Sequence, residues 1–527
     1  MKSIRDAGLQ RQSGSAWAST LALLTTLLSL ACIAADPPPE PLDCAAVGAW
    51  STDGARVDTV EEIPASEEQP AHCKVAGTID AEVHFELVLP IHDAWNGRFV
   101  MGGGGGFVGS VQNLAMEPLQ GGNALQRGFA TVGTDTGHTG SAIDGRWALD
   151  NEEREIDFGY RAVHRTTEVA KATVRDYYAQ DIDHSYFMGC SRGGGQAMVE
   201  SQRFPEDYDG IVAMAPAFSW PRIGAGFLQN IQRLYPDPGD LGAPVVTAES
   251  RALLEREILG RCDSLDGIED GLLNDPRQCD FDPAELRCEG PPDADCLTAP
   301  QLEAVQTIYS GPTVDGTNVF AGFPFGGEND RGGWDTWITG GEKPIAPGVP
   351  SLQWAFGTEM YKYLIFDDPD FDYATYDFEG WQEDITKADE VLSATDTDLS
   401  RLRDAGGKLL FWHGWSDPAL SALATIDYYE AVEAADSGVR GYSRLFLAPG
   451  VLHCDGGPGP DRVDLLSAIV EWVERGSAPE RLIASKLDED GATLMTRPLC
   501  PYPEVVVHDG QGETNDASSF KCQAPGS

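Results

Sequence analysis

A serine flanked by glycines, Ser191, is the residue of this sequence best suited to act as a nucleophile. It lies in Gly-Cys-Ser-Arg-Gly at residues 189–193, after an apolar stretch at 185–188 and before a stretch of helical composition at 196–199. Glycines on both sides permit a sharp strand-to-helix turn that a side chain would block. Such a turn raises the hydroxyl to where a substrate carbonyl can reach it. An ordinary glycine turn is the alternative, and the predicted strand and helix favour the nucleophile.

A nucleophilic serine needs a histidine base, and the base needs a carboxylate that orients it. His453 follows a predicted strand at 445–447, and Asp417 follows another at 409–412. The chain order Ser, Asp, His is that of α/β-hydrolases, which build their sites beyond the carboxyl ends of strands. We therefore predict Ser191 as nucleophile, His453 as general base and then acid, and Asp417 as the group that orients the imidazole.

Four residues near these positions leave alternatives open. Asp417 could instead cap a turn before Pro418. His413 ends its predicted strand and is interpreted as a structural histidine. His138 precedes the nucleophile strand, so its place in the chain order is wrong for the base, and we interpret it as a brace for its loop. Cys190 could itself be the nucleophile, but a free thiolate among other cysteines is unexpected in an oxidising compartment.

Two backbone N–H donors are needed to stabilise the oxyanion of a tetrahedral intermediate. The amide of Arg192, directly after the nucleophile, is predicted as the first. The glycine-rich stretch at 102–106 follows an early predicted strand, and we predict Gly106 as the second donor. A phosphate-binding loop is the competing interpretation, but the stretch lacks the Lys-Ser/Thr ending of nucleotide loops.

The N-terminus has the pattern of an export signal. Basic residues precede an apolar run at 16–30, and small residues follow at 31–35. The run is too short for a membrane span and no stop-transfer segment follows it, so we predict a signal peptide and a secreted or periplasmic protein. Lipid attachment through Cys32 is the less favoured alternative, since Ser29 fits a lipidation signal poorly. No membrane span is predicted in the mature chain.

Charge and cysteine content limit the partners of the chain and agree with its export. The net charge of -47 disfavours nucleic acids and anionic membranes as partners, because both are polyanions. Ten of the eleven cysteines remain when Cys32 is removed, and an even number in an exported chain predicts disulfides. Cys190 precedes Ser191 and Cys454 follows His453, so a bridge between these two cysteines would fasten the nucleophile turn to the histidine loop.

Strands alternate with helices from about residue 83, which predicts an α/β fold with a mainly parallel sheet. The alternation stops near residue 220 and resumes near 395, which predicts an insertion. The predicted division is a signal peptide at 1–35, the first part of the sheet domain at 36–219, the inserted domain at 220–394 and the second part of the sheet domain at 395–527.

An Asp-rich loop within the insertion is a candidate metal site. Asp263, Asp266 and Asp270 surround two glycines, and oxygen ligands on a tight loop suit calcium. The backbone carbonyls of Ile268 and Leu272 are predicted to complete the ligand set. The spacing differs from that of an EF-hand, and a solvated acidic turn is the alternative.

Several motifs together resemble the tannase and feruloyl esterase family of α/β-hydrolases, from about residue 44 to the C-terminus. They lie at residues 189–194, 201–205, 208–213, 263–271, 413–417 and 449–454. The resemblance implies an α/β-hydrolase sheet domain with a large inserted lid domain, calcium bound in that lid, and hydrolysis of aromatic-acid esters, either small molecules or phenolic esters linked to polysaccharides. It also implies the disulfides Cys44–Cys73, Cys190–Cys454, Cys262–Cys279, Cys288–Cys296 and Cys500–Cys522.

One branch of that family hydrolyses mono(2-hydroxyethyl) terephthalate, and the chain resembles it as well. Trp337 falls where that branch places an aromatic ring against the substrate. The branch also uses a lid arginine to bind the free carboxylate of its substrate, whereas this sequence has no arginine between Arg331 and Arg401. Lysine lacks the bidentate fork, so neutral feruloyl or galloyl esters are favoured. A peptidase of the same fold and a non-catalytic exported binding protein are the other hypotheses.

Overall fold

The computed structural model describes residues 40–52 and 54–524, and the predicted signal peptide with Cys32 lies outside them. The strands of the described residues are β1 (Ser51–Thr52), β2 (Ala55–Ile63), β3 (His72–Ile79), β4 (Val83–Pro90), β5 (Arg98–Gly102), β6 (Ala130–Thr134), β7 (His184–Ser191), β8 (Gly210–Pro216), β9 (Thr313–Val314), β10 (Thr317–Asn318), β11 (Lys408–Gly414), β12 (Ser443–Ala448), β13 (Leu482–Leu487), β14 (Thr493–Leu499), β15 (Val505–His508) and β16 (Phe520–Gln523).

The helices of the same residues accompany these strands, and none of them is both long and apolar enough to cross a membrane. They are α1 (Cys44–Val47), α2 (Glu152–Ile156), α3 (Ala162–Tyr178), α4 (Arg192–Arg203), α5 (Trp220–Leu234), α6 (Ala248–Cys262), α7 (Ala299–Ser310), α8 (Trp334–Trp337), α9 (Leu352–Met360), α10 (Trp381–Asp384), α11 (Thr386–Leu392), α12 (Ser400–Asp404), α13 (Ala422–Ala435) and α14 (Leu465–Arg475).

One mixed sheet has the strand order β1-β2-β3-β4-β6-β5-β7-β8-β11-β12. The strands from β6 to β12 pair in parallel, as the sequence predicted. The strands from β1 to β4, and the pairing of β4 with β6, are antiparallel. The prediction of a mainly parallel sheet is thus correct for one half only. β2, β3 and β4 are antiparallel because the connections between them are short and contain no helix, whereas a parallel pairing needs a long crossover.

The central strands are buried on both faces, which explains their continuous apolar sequences. In β7, Phe187 belongs to the core formed with α3, α4 and α13. Tyr186 and Met188, its neighbours in the chain, belong to the opposite core, which contains α14. Because alternate residues of a strand point to opposite faces, one apolar run supplies both cores.

A π-helical turn, Asp157–Arg161, leads into α3. The carbonyl oxygens of Phe158 and Gly159 both accept hydrogen bonds from Nη2 of Arg192, the bond to Gly159 being 2.9 Å long. A π-turn leaves such carbonyls without their regular helical partners. The guanidinium of Arg192 therefore stabilises this turn.

The segment 220–394 leaves the sheet after β8 and returns before β11. Ser219 and Ser393 form an antiparallel bridge, and the N–H of Ala394 donates to the carbonyl of Phe218 at 2.7 Å. The two ends of the segment therefore lie side by side. Helices α5, α6 and α7 pack around a hydrophobic core to which, within residues 40–52 and 54–524, no strand of the large sheet contributes. These features are those expected of an insertion, and the domain boundaries stay a prediction.

Five disulfides join cysteines of the described residues, and their pairings are those implied by the family resemblance. They are Cys44–Cys73, Cys190–Cys454, Cys262–Cys279, Cys288–Cys296 and Cys500–Cys522.

Candidate active site

Ser191 lies at the junction of β7 and α4, in a strained turn. Its φ of 62° and ψ of -122° are unusual for a residue with a side chain. A Cβ atom on Gly189 would lie 2.4 Å from the backbone of Gly193, so a glycine is required where the turn folds back on itself. Strain of this kind is typical of functional positions, and the geometry is that of a nucleophile on a strand-to-helix turn.

Asp417 and His453 form the hydrogen-bonded pair that the sequence predicted. The Nδ1 atom of His453 lies 2.8 Å from Oδ2 of Asp417, and the other carboxylate oxygen accepts from the N–H groups of Ala419 and Leu420 at 2.8 and 2.9 Å. Since a carboxylate only accepts, Nδ1 carries the proton and Nε2 is free to act as a base. The alternative interpretation of Asp417 as a turn cap is also met. Its Oδ1 accepts from the two N–H groups of the turn, while its Oδ2 accepts from His453.

His413 supports Asp417, a contact that the sequence did not predict. Its Nε2 atom lies 2.9 Å from the carbonyl oxygen of Leu420 and 3.2 Å from Oδ2 of Asp417. Both are acceptors, so Nε2 donates, and Nδ1 accepts from Thr425 Oγ1 at 2.9 Å. Burial alone would raise the pKa of Asp417, but the attraction of His453 and the hydrogen bonds from both histidines hold that pKa below its ordinary value. Asp417 is therefore ionised wherever the protein is folded near neutrality.

The Cys190–Cys454 disulfide joins the nucleophile turn to the histidine loop, with the two Cα atoms 6.0 Å apart. Ser191 and His453 are the chain neighbours of these cysteines. In the part of the chain that the structure describes, no hydrogen bond joins Ser191 to His453 directly. Catalytic hydrogen bonds are often long without substrate and shorten in the substrate complex. The disulfide thus limits how far the two residues can separate.

The glycine-rich loop lies against the nucleophile helix, with one N–H left unpaired. The N–H of Gly104 donates to Gln196 Oε1 at 3.1 Å, and that of Gly105 donates to Gln112 Oε1 at 2.7 Å. Among the described residues, the N–H of Gly106 has no acceptor. Gly106 also lines the same cavity as Ser191. An unpaired donor beside the predicted nucleophile is what an oxyanion requires.

The cavity at Ser191 is apolar apart from the serine itself. It is narrow, with a volume of about 30 Å³, so an aromatic acyl group fits only when the lining side chains move apart. Trp337 stacks on Phe356, with ring centroids 6.1 Å apart, and forms a T-shaped pair with His453, with ring centroids 4.8 Å apart. The remaining lining residues are Gly106, Ala217, Trp220, Ile223, Phe227, Met360, Ala419 and Leu420. Such a lining favours an aromatic acyl group and offers no ionic partner to a charged one.

The side chain of Arg192 has a role that the sequence did not predict. Its guanidinium is fully buried, 4.3 Å from the centroid of Phe158 and 5.6 Å from that of Trp220. Burial, with a smaller contribution from the charge of Arg203, lowers the pKa of Arg192 to about 9. The cation thus supports the wall of the cavity from behind while its backbone amide begins α4.

The sequence of this chain matches those of known ester hydrolases along most of its length. The family described as Tannase and feruloyl esterase matches residues 68–523. The chain belongs to this family. The mono(2-hydroxyethyl) terephthalate hydrolase of Piscinibacter sakaiensis is 36% identical, with 86% of this chain and 85% of that protein covered. Feruloyl esterase B of Aspergillus niger is 32% identical over 81% of this chain and 82% of its own.

Solved structures agree with this assignment. Feruloyl esterase B from Aspergillus oryzae has a TM-score of 0.79 at 28% identity, covering 91% of this chain and 99% of its own. Tannin acyl hydrolase from Aspergillus niger, with a TM-score of 0.70 at 22% identity over 89% of this chain and 92% of its own, shares the fold. The sheet domain is an α/β-hydrolase fold, and the protein is a carboxylic ester hydrolase.

The predicted calcium loop is held by its own backbone. Asp263 accepts from the N–H groups of Asp270 and Gly271 at 3.2 and 3.0 Å, and Asp270 is bound by Arg497 at 2.7 Å. Asp266 accepts through one oxygen from the N–H of Ile268 at 3.1 Å. The loop is not the place where metal-type ligands come closest together. Within the described residues, that group is His164, Glu200 and Asp207.

A buried acid in the inserted segment makes stability depend on pH. Glu328 accepts from the Tyr309 hydroxyl at 2.9 Å and the Gly326 N–H at 2.7 Å, in a loop that packs on Ser416 beside Asp417. Burial raises the pKa of Glu328 to about 7. The folded state binds this proton more tightly than the unfolded state does. The contribution of Glu328 to the free energy of unfolding is therefore largest at low pH and decreases as pH rises from about 4.5 to 7.

Between about pH 4.5 and 7, we expect the free energy of unfolding to decrease less in Glu328→Gln than in the wild type, by on the order of 1–3 kcal/mol. The reason is that the amide keeps the acceptor oxygen and never ionises. Melting temperatures measured across this pH window should fall less steeply in the variant than in the wild type. Glu342→Gln, at an exposed position, is the matched control and should follow the wild-type curve. Parallel curves for wild type and Glu328→Gln would show that Glu328 does not titrate in this window.

Proposed function

We propose that this protein is an exported serine esterase that hydrolyses neutral esters of aromatic acids, of feruloyl or galloyl type, through an acyl-enzyme on Ser191. The single observation that carries the substrate class is the cavity beside Ser191, whose lining has no charged side chain. The aromatic rings of Trp337 and Phe356 suit a planar acyl group. The disulfides and the predicted signal peptide support export.

The proposed reaction follows from the hydrogen bonds. Nε2 of His453 takes the proton from Ser191 Oγ as that oxygen bonds to the ester carbon, and Asp417 stabilises the imidazolium through Nδ1–H. The N–H groups of Gly106 and Arg192 bind the oxyanion. The ester C–O bond breaks, and the leaving alcohol takes the proton from His453. Water then gives a proton to His453 and attacks the acyl carbon. The bond from that carbon to Ser191 Oγ breaks, Oγ takes the proton back from His453, and the aromatic acid is released.

A pair of substrates that differ in one charge tests the substrate class. Mono(2-hydroxyethyl) terephthalate carries a free carboxylate, and its methyl ester has the same ring without the charge. We expect kcat/KM for the neutral diester to exceed that for the monoacid by at least about tenfold, since an unpaired carboxylate is costly to desolvate. Methyl ferulate and methyl gallate should also be hydrolysed, with p-nitrophenyl acetate as a reference for small acyl groups.

Hydrolysis of mono(2-hydroxyethyl) terephthalate itself is the second candidate function. The relative from Piscinibacter sakaiensis, named for that activity, favours it, as does the position of Trp337 at the cavity. Faster turnover of the monoacid than of its methyl ester would establish this function and reject the preference for neutral substrates. Failure to hydrolyse any ester, with no labelling by a fluorophosphonate probe, would instead support a non-catalytic binding protein.

We further propose that the loop with Asp263, Asp266 and Asp270 holds calcium in the lid, with the carbonyls of Ile268 and Leu272 as further ligands. The residues fit such an ion, because Oδ2 of Asp266 is buried and has no hydrogen-bond partner in the described part of the chain. Burial raises the pKa of Asp266 to about 6, and the charges of Asp270 and Asp263 add to this effect. When bound, calcium would supply positive charge to oxygen atoms that otherwise repel one another.

Removing calcium should destabilise the lid. We expect treatment with a calcium-selective chelator to lower the melting temperature, and added calcium but not magnesium to restore it, since magnesium prefers a smaller octahedral site. Asp266→Asn should abolish the response to chelator. An exposed acid elsewhere, Asp240→Asn, is the control and should respond as the wild type does. An unchanged melting temperature and activity after chelation would reject this site.

A further inference from the structure

A second cluster of chemically active side chains lies away from Ser191, at the C-terminal end of the nucleophile helix α4. His164 on α3, Glu200 in the last turn of α4 and Asp207 in the loop before β8 each place one ligand atom within 4.8 Å of the others. Glu200 lies nine positions after Ser191 in the chain, and a helix rises 1.5 Å per residue, so the cluster lies about 13 Å along the helix from Ser191. It therefore takes no part in the ester chemistry.

Glu200 is the observation that calls for a ligand. Its side chain is fully buried, and neither carboxylate oxygen has a hydrogen-bond partner among the described residues. The side chain that faces it is the carboxylate of Asp207, which is another acceptor. Lys171 lies in the same region but donates to Ser185 Oγ and to the backbone carbonyl of Asp207. A buried carboxylate without a donor requires a proton or a cation.

The other two members of the cluster are held in place and partly open to water. Nδ1 of His164 lies 2.6 Å from Oδ2 of Asp207. The imidazole stacks on Phe204, with centroids 3.9 Å apart and planes 8° from parallel, so its orientation is fixed. The side chains of His164 and Asp207 are 25% and 18% exposed, which leaves room for a water ligand. The C-terminal end of a helix also favours positive charge.

We propose that His164, Glu200 and Asp207 bind a zinc ion. One imidazole nitrogen and two carboxylate oxygens, with water in a fourth position, form a tetrahedral ligand set that suits zinc, whereas calcium and magnesium prefer oxygen alone. Ligand atoms of such a site lie about 3.3 Å apart, so small side-chain rotations suffice and the metal replaces the direct bond between His164 and Asp207. The ion joins α3 to the end of α4.

The test is zinc stoichiometry of the full-length protein, with calcium present throughout. After incubation with zinc chloride and gel filtration, elemental analysis should find one zinc per chain in the wild type and none in Glu200→Gln. The variant keeps its fold, because the neutral amide can donate to Asp207, and unchanged circular dichroism and esterase activity check this. Glu168→Gln is the control: Glu168 is exposed, faces His164 at 3.8 Å and should leave zinc binding intact.

Zinc should also raise the melting temperature of the wild type and leave that of Glu200→Gln unchanged. Magnesium in place of zinc should have no effect on either protein. The proposal would be overturned if the wild type contained no zinc, or if Glu200→Gln contained as much zinc as the wild type. Glu200 and Asp207 would then share a proton instead of a metal ion. If magnesium bound as well as zinc, the assignment of the site to zinc would be wrong.

Discussion

Replacing the serine hydroxyl should abolish ester hydrolysis. We expect Ser191→Ala to lower kcat by at least about 10⁴-fold, because the oxygen that forms the acyl-enzyme is gone while the cavity and the oxyanion donors remain. The methyl group fits the turn, since Ser191 already has a Cβ atom at its φ of 62°. Initial rates with methyl ferulate, and binding of the same ester to the variant, would separate lost chemistry from lost affinity.

Ser201→Ala is the matched control for this experiment. Ser201 lies on the same helix α4, is buried, and donates one hydrogen bond to the carbonyl of Met198 at 2.8 Å. Its loss should cost a little stability and leave kcat close to that of the wild type. A fluorophosphonate probe should label the peptide that contains Ser191 in this control and leave Ser191→Ala unlabelled. Near-normal activity of Ser191→Ala, or labelling at another residue, would contradict the assignment of the nucleophile.

The parallel half of the sheet could be predicted because strands that are buried on both faces have continuous runs of apolar residues in the sequence. β7, β8 and β11 each contain an apolar run at their centre, and glycines mark the turn after β7. The antiparallel strands were harder to predict because their burial is uneven. In β2, most residues are exposed or half-buried, so no apolar run marks the strand. Its place is set by pairing with β3 rather than by its own composition.

In the candidate site too, some residues could be predicted from the sequence and some contacts could not. Ser191, Asp417 and His453 could be predicted because each follows a strand, and strand ends meet at one edge of the sheet. The support of Asp417 by His413 could not, since it depends on which ring nitrogen faces which acceptor after α13 has packed. The buried side chain of Arg192 was missed for a similar reason.

The cavity lining could be predicted least of all. Its residues run from Gly106 to Leu420 along the chain and meet only after the inserted segment has packed on the sheet. Trp337 was predicted from the family resemblance alone. Local sequence patterns record burial and turn geometry, but they do not record which distant side chains share a wall. Predictions on substrate choice therefore rest on the assembled structure rather than on motifs.

Breaking the disulfide beside the site should reduce both stability and catalysis. Serine at both Cys190 and Cys454 opens a loop of 264 residues, for which chain entropy predicts a loss of about 5–6 kcal/mol, an upper value because measured losses are often smaller. The hydrogen bond from His453 to Asp417 survives, but the imidazole is no longer tied to the nucleophile turn. We expect kcat to fall about 10²-fold with a smaller change in KM, since small misplacements of catalytic groups have effects of this size.

The same double replacement at Cys288 and Cys296 is the control. These cysteines close a loop of 8 residues within the insertion, so the entropic loss is about 2–3 kcal/mol and the distance from Ser191 to His453 is unaffected. Urea denaturation gives the two stability losses, and kcat measured well below both melting temperatures isolates the geometric effect. If the variant at 190 and 454 kept the wild-type kcat, the Asp417 pair and the packing of Trp337 on His453 would suffice to orient the imidazole. The disulfide would then stabilise the fold without contributing to catalysis.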